Sequence, residues 1–597
     1  MDDEPSRIGG KPEAARTGPA GATPEQANGR STPVRAGVFA ACWIVAAVIA
    51  VALGRDVNLD LRNYHFYNAY ALIEGRWALD LAPAGMHSFL HPGLDLPYYL
   101  MTRGPLNVWP WLVTSLQAVY FGVLAFLVLA VANLCCHGDA RRLTGTSLLV
   151  ALLGLTGAGT LPEAGATQND VQVGCLVLGA LLALLLAAGA DDDGATRRAT
   201  RLRLLAGFLG GAVIALKFTA AIYAPALAIA TAMATRSNPA RRLPAVALLV
   251  LGSVLGFVLV YGPWGWLLWE RFGNPFGPFF NDVFRSPWFQ PESPRDVTFL
   301  PRNVVQALTY PFWWAHRSEG IVIEPTMADP RFAVGLSALL VASAAAAWSR
   351  ARSNPPPAPM RCENADRVAR RATWVVMAFV AASYVAWLTA FSILRYATAT
   401  EMLLGIPVWA AARALLVSHR HSQSARTGDW RRGAALCVGA VLGVCALVTE
   451  YPDHSRASLR PVRGLDGTVS ADSVPLPDGS LVAVGGLFVS FLTPFIQGHD
   501  IRFVGANSWT AGGLWGSTPE WRAAPALGTH RLALETERLL RSHPGPVFVL
   551  LEIPDPLDEG ERFDLGAVKA FGISFDRNSC RSVVNTLTSY GQICRSR

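Results

Sequence analysis

"VRAGVFAACWIVAAVIAVAL", residues 34–53, runs directly into "GRDVNLDLRNYHFYNAYALIEGRW", residues 54–77, and the change between the two decides the class of fold. The first piece carries a single charge over the length needed to cross a hydrocarbon core of about 30 Å. The second sets Asp56, Asp60, Arg62, His65 and Glu74 among tyrosines and asparagines. Runs of the first kind recur at about 110–133, 144–160, 171–189, 204–217, 219–235, 244–268, 331–349, 372–391, 394–416 and 432–449. The expectation is an α-helical polytopic membrane protein with about 11 transmembrane helices. The run 204–217 is short and almost touches its successor, so those two could instead be one bent helix with a re-entrant piece.

Composition agrees with that class. Of 597 residues, 52% are hydrophobic and 16% charged, and the mean hydropathy is +0.31, values foreign to a large soluble enzyme. All of the 51 basic residues except Lys11, Lys217 and Lys569 are Arg, as a GC-rich bacterial genome would encode. The net charge of +8 forms no continuous basic face, which argues against a nucleic-acid partner. Instead Arg141 and Arg142, the group from Arg197 to Arg203, Arg236 to Arg242, Arg350 to Arg371 and Arg420 to Arg432 fall in alternate loops. Those loops and the N-terminus then lie in the cytoplasm, and loops 54–109, 161–170 and 270–330 lie outside, as does everything after 450. The implied location is a bacterial inner membrane.

Residues 1–33 lack periodicity and read as a disordered cytoplasmic tail. The first apolar run could be a signal sequence with a cleavage site near Ala50 to Ala52, but its polar leader is long for one. Residues 34–449 form the membrane domain. From 450 to 597 the pattern becomes short strand-like stretches, "SLVAVGGLF" and "VFVLLEI", with an amphipathic helix around 528–542, the mark of a small periplasmic α/β domain. Cys580 and Cys594 near its end could pair in an oxidising compartment. No cysteine or histidine spacing suits zinc, and Cys135, Cys136 and His137 at a helix end are a weak signal.

The stretch after the first run reads as a helix with Asp60, Tyr64, Tyr67 and Ala71 on one face. A purely structural account has Asp60 or Asn58 capping that helix while the tyrosines anchor it at the membrane surface.

A set of further motifs resembles another account. Asp60 is followed by Tyr64, Gly75 and Trp77; "HPGLDLPYYL" comes late in the same loop, with His91 at its head; Asp170 opens a helix in "TQNDVQVG". Next come Lys217 in "GAVIALKFTAAIYAPAL", the stretch "YGPWGWLLWERFGNPFGPFF", and Arg395 with Tyr396. In order and topology, over residues 34 to about 416, these resemble the GT-C membrane glycosyltransferases, nearest the branch of protein O-mannosyltransferases and lipid A aminoarabinose transferases. Leu61 stands where that branch often has a second acidic residue, and His91 where it has a Lys.

The resemblance implies transfer of a sugar, usually with inversion, from a polyprenyl-phosphate carrier to an envelope glycan, lipid or protein acceptor on the outer face. Such a reaction needs a base for the acceptor hydroxyl, for which Asp60 is the candidate and Asp56 the alternative. It also needs positive charge against the departing phosphate, for which Lys217 leads and Arg285, Arg395 and His91 follow. Asp170, Tyr64 and His65 are candidates for holding the acceptor or a divalent cation; no cofactor is otherwise implied, and the resemblance leaves metal use open. Lys217 near a helix end could simply snorkel, and Asp170 could be an N-cap. The aromatic stretches "NPFGPFFNDVFRSPWF" and "YPFWWAH" could stack on sugar rings or anchor loops at the interface. A transporter or flippase would share the topology, but no repeat between the halves is evident. A polysaccharide polymerase or ligase, whose main catalytic loop is expected late in the chain, and a non-catalytic envelope-assembly protein are the other readings.

Overall fold

The computed structural model describes residues 24–235, 239–352, 363–418, 429–512, 528–552, 559–587 and 591–597. Each of the eleven apolar runs is helical. In chain order they are α1 Arg35–Leu53, α2 Pro110–His137, α3 Gly145–Leu155, α4 Asp170–Asp192, α5 Thr196–Leu216, α6 Phe218–Ala234, α7 Pro239–Phe272, α8 Arg331–Ala351, α9 Asn364–Ala390, the broken α10 Leu394–Glu401 plus Gly405–Val417, and α11 Trp430–Val448. Eight are long and apolar enough to cross a membrane, and the two pieces of α10, bent by 45°, make a ninth if counted as one span. The helices α3 and α6 fall short of a crossing length, so the count of spans is lower than the count of apolar runs. The protein is thus mostly helical and multi-pass.

At the N-terminus the first helix extends back to Pro24, ahead of the expected start, and Pro is tolerated at the first turn because its missing N–H would be unpaired there anyway. The remainder of the expected tail, residues 1–23, lies outside the described residues, as do parts of the basic tracts 350–371 and 420–432.

The outer surface of the bundle is apolar where a soluble protein would be polar. On α7, Val250, Leu251, Val254, Leu255, Val258 and Leu259 are all exposed, a patch that only lipid or another protein would cover. Inside, α5 and α7 approach closely through small residues. A Cβ on Gly207 would meet the Leu249 carbonyl oxygen, one on Gly211 the Ser253 carbonyl oxygen, and one on Gly256 the Phe208 carbonyl oxygen. Without a hydrophobic force between helices in lipid, this backbone proximity supplies the packing.

The C-terminal part carries a five-stranded mixed sheet of β1 Leu481–Val484, β2 Arg502–Gly505, β3 Val547–Glu552, β4 Arg581–Ser582 and β5 Gly591–Arg595, in the spatial order β2-β1-β3-β5-β4. The first three are parallel and the last two antiparallel to their neighbours. The interior strand β1 is buried at every position, as a strand covered on both faces must be. Alternation splits its side chains: Leu481 and Ala483 face a cluster with Trp264, Leu268 and Phe272 of α7, while Val482 and Val484 face Leu61, Phe66, Tyr98 and Tyr99 of the first loop.

The sheet is therefore built onto the first loop. Leu81 adds to its edge, accepting from Gly505 N–H at 2.9 Å and donating to the Phe503 carbonyl at 3.0 Å. Arg55 and Asp56 pair antiparallel with Arg456 and Ala457, and the buried Arg55 guanidinium donates to the Thr586 and Arg460 carbonyls. The amphipathic helix lies at Arg531–Ser542, and Cys580 is bonded to Cys594.

Candidate functional site

Three helix starts and one helix break converge at one end of the bundle. Leaving α1, the chain turns through Asp56 and begins a π-helical turn at Leu61–His65 that continues as helix Phe66–Ile73. Asn58 satisfies this helix start, its Oδ1 accepting from Leu61 N–H at 2.7 Å. Asp60 is thereby released from capping. Its Oδ2 instead accepts from Arg395 Nη1 at 2.6 Å, across 335 residues of sequence.

Arg395 sits in the short 3-10 turn Leu394–Ala397 at the head of the broken α10. The same Nη1 lies 3.7 Å from Oδ2 of Asp170, the first residue of α4. A carboxylate at a helix N-terminus is favoured by the unpaired N–H groups there. Oδ1 of Asp170 accepts from Lys217 Nζ at 2.8 Å, and the same ammonium donates to the Gln168 carbonyl at 2.8 Å. Lys217 occupies the break between α5 and α6, with extended backbone (φ −148°), so the interruption turns its side chain toward the loops. Lys217 and Arg395 both approach the Tyr396 ring, at 5.4 and 5.3 Å.

Four sequence candidates thus form one chain of charge, Asp60–Arg395–Asp170–Lys217. Asp60 and Arg395 are each 22% exposed at the side chain and Lys217 14%, while Asp170 between them is buried, so the chain is partly open at its two ends and at Arg395. Burial acts to raise the Asp60 carboxyl, but the Arg395 charge and hydrogen bond together with the charges of His65 and Lys217 outweigh it and hold the group well below the usual carboxylate range.

Tyr64 packs at a tilt against His65 (centroids 4.2 Å) and stacks on His87 (4.9 Å), and His87 in turn packs on Trp509 at 4.2 Å. Burial pushes the Tyr64 hydroxyl well above its ordinary value and the His87 imidazole down to about 4, so both are neutral. His65 Nδ1 is 2.6 Å from Asp95 Oδ1, with the Asn169 amide beside both, while its Nε2 is buried without a partner.

Other candidates are used elsewhere. Asp56 is buried and saturated: it accepts from Asn58 N–H and Nδ2, and from Thr167 N–H and Oγ1. His91 Nδ1 accepts from Gly93 N–H and its Nε2 meets the Val260 carbonyl, which fixes a neutral tautomer against α7. Burial lowers its pKa further, so it holds the loop and brings no positive charge. Arg285 is exposed, in left-handed backbone (φ 52°) after helix Asn281–Phe284, and makes no ion pair with the described residues. Among the described residues no group of three His, Cys, Asp or Glu side chains is placed to hold a metal ion.

Sequence reasoning passed over Asp95, which lies within the quoted "HPGLDLPYYL", and Glu163. The latter is the only acidic residue besides Asp170 in loop 161–170, and that was the available signal.

No family model matches the chain, and no curated protein matches it. Among solved structures it is similar to ArnT from Cupriavidus metallidurans bound to undecaprenyl phosphate, at 14% identity and a TM-score of 0.45, covering 94% of this chain and 97% of that one. It is also similar to the Archaeoglobus fulgidus oligosaccharyltransferase tethered to an acceptor peptide, at 11% identity and a TM-score of 0.41, covering 92% of this chain and 74% of that one.

Proposed function

We propose that the protein is an inverting glycosyltransferase of the inner membrane, moving a sugar from a polyprenyl-phosphate carrier to an envelope glycan, lipid or protein acceptor on the outer face. One observation carries the reading: two cations and two carboxylates from four separate chain segments meet at one end of an apolar bundle, all but Asp170 partly open, with Oδ1 of Asp60 making no hydrogen bond among the described residues. A lipid-linked phosphate leaving the bilayer needs positive charge at that depth, and an alcohol acceptor needs an oriented proton acceptor beside it.

In this reading Arg395 and Lys217 face the carrier phosphate and stabilise the charge that grows on its bridging oxygen. Asp60 is the base. Its depressed pKa keeps it ionised at every working pH, and its grip on Arg395 fixes its direction, so it works by position more than by basicity. Asp95 and His65 support the helix that carries it. The Tyr64, His87 and Trp509 rings run in contact from the first loop to Trp509 of the C-terminal part, and aromatic faces of this kind are what an acceptor sugar would pack on.

A transport reading draws on the two interrupted helices, at Lys217 and in α10, because broken spans often line substrate paths. The test is a panel of labelled polyprenyl-phosphate sugars, starting from undecaprenyl carriers, given to purified protein in lipid with candidate acceptors. Consumption of one donor with release of the free lipid phosphate supports the transferase. Movement of intact donor between leaflets without release supports the transporter.

A further inference from the structure

Glu163 precedes α4 in loop 161–170 and is 1% exposed. Among the described residues both of its carboxyl oxygens lack a hydrogen-bond partner, and Oδ2 of Asp170 has only the 3.7 Å ion pair with Arg395. Buried acids are almost always paired, so a buried glutamate with neither oxygen hydrogen-bonded nor ion-paired calls for a group that the polypeptide does not supply. The position is fixed from outside the loop: Arg456 donates to the Pro162 and Ala164 carbonyls, at 2.6 and 3.0 Å, on either side of Glu163.

The charged groups whose fields act on Glu163 are Asp170, Arg395, Lys217 and Glu401. Glu401 is already engaged, accepting from Gly159 N–H and from the Thr160 hydroxyl. In the remaining set the charges of Arg395 and Lys217 are cancelled by those of Asp60 and Asp170. An arriving phosphate adds negative charge to a neutral cluster, and an ionised Glu163 would add more in a low-dielectric place.

Resting on the transferase reading above, we infer that Glu163 belongs to the phosphate site and takes part as a neutral carboxylic acid, its O–H directed toward the lipid phosphate while Lys217 and Arg395 supply charge. The electrostatics agree: burial and the Asp170 charge push this carboxyl well above the usual range, against the weaker pull of Arg395 and Lys217. Glu163 is then a positioning residue that makes carrier binding depend on holding one proton.

The experiment measures affinity for undecaprenyl phosphate against pH, with full-length wild type, Glu163→Gln and Glu163→Ala in lipid nanodiscs. Titration of the phosphate itself is common to all three and cancels in ratios. Wild type and Glu163→Gln are expected to bind alike at low pH. Above the Glu163 pKa, wild type weakens relative to Glu163→Gln, tending to tenfold per pH unit, as loss of one linked proton requires. Glu163→Ala, without a donor, binds several-fold more weakly than Glu163→Gln throughout.

Parallel pH curves for wild type and Glu163→Gln would overturn the inference and leave the transferase reading intact. A difference abolished by a chelator would assign the carboxyl to a cation and also overturn it. Binding no better than that of neutral undecaprenol at any pH would sink the phosphate site as a whole. Should Glu163→Gln fail to fold, the infrared difference spectrum of wild type on adding undecaprenyl phosphate decides: a perturbed protonated-carboxyl stretch is expected, and its absence contradicts the proposal.

Discussion

Replacing Arg395 with Gln removes the charged link between Asp60 and Asp170 while keeping a polar, shorter side chain. At 2.6 Å and an effective dielectric of about 20, the gross attraction between Arg395 and Asp60 is about 6 kcal/mol. Desolvation of both partners and their partial exposure leave a net worth of about 1–3 kcal/mol. In wild type the Asp60 pKa is depressed, so its contribution to stability is present above the unfolded value near 3.9 and is lost as pH falls through that value toward the folded one. In the variant burial has no opposing charge from Arg395, the folded pKa rises, and stability now falls as pH increases above about 4. Thermal unfolding in detergent or nanodiscs should therefore show a deficit of about 1–3 kcal/mol at pH 7 that shrinks toward pH 4. Transfer rate should gain an acid limb that wild type lacks, because Asp60 now titrates in the working range. A deficit of constant size from pH 4 to pH 8, with an unchanged rate profile, would refute the reasoning.

Further outcomes follow from the same geometry. Asp56→Asn keeps an acceptor but turns an amide toward donors already aimed at a carboxylate, so it should lower stability by about 1–3 kcal/mol with little change in kcat; loss of kcat in a fully folded Asp56→Asn protein would move the base to Asp56. Gly211→Leu drives a side chain into the Ser253 carbonyl and should abolish recovery of folded protein from membranes, measured by size-exclusion yield, whereas Gly189→Ala, which meets open space, should not. Opening the Cys580–Cys594 bond, whose partners are 14 residues apart, should cost about 3 kcal/mol of local stability, seen as faster proteolysis of the C-terminal part while the helices stay protected.

Much of this architecture was legible because lipid imposes a length rule. The eleven apolar runs were each long enough to notice, and each is a helix; what hydropathy could not show was which would be cut short or bent, as at α3, α6 and α10, since that depends on neighbours satisfying the freed backbone groups. Two strands of the C-terminal sheet, β1 and β3, were visible in "SLVAVGGLF" and "VFVLLEI", but the other three and the attachment to the first loop were not. Pairing of Arg55 with Ala457, or of Leu81 with Val504, depends on register between segments hundreds of residues apart.

The site divides similarly. Asp60, Asp170, Lys217 and Arg395 stood out as charges at the ends of apolar runs, and the fold gathers those four. His91 and Arg285 carried the same surface signal, but one is consumed by a backbone amide and a carbonyl, and the other points into solvent. The choice between Asp60 and Asn58 as helix cap turned on a 2.7 Å contact that no sequence pattern encodes. Glu163 was overlooked because a glutamate in a short loop looks solvated, and only burial makes it unusual.

The central claim is that Asp60 takes a proton from an acceptor hydroxyl as a sugar leaves its lipid phosphate. The most direct measurement is single-turnover transfer from a labelled polyprenyl-phosphate sugar, comparing wild type with Asp60→Asn in the same lipid and measuring donor affinity separately. The account predicts that Asp60→Asn binds donor within a few-fold of wild type and transfers it at least a hundredfold more slowly. Transfer at the wild-type rate by a folded Asp60→Asn protein would contradict it.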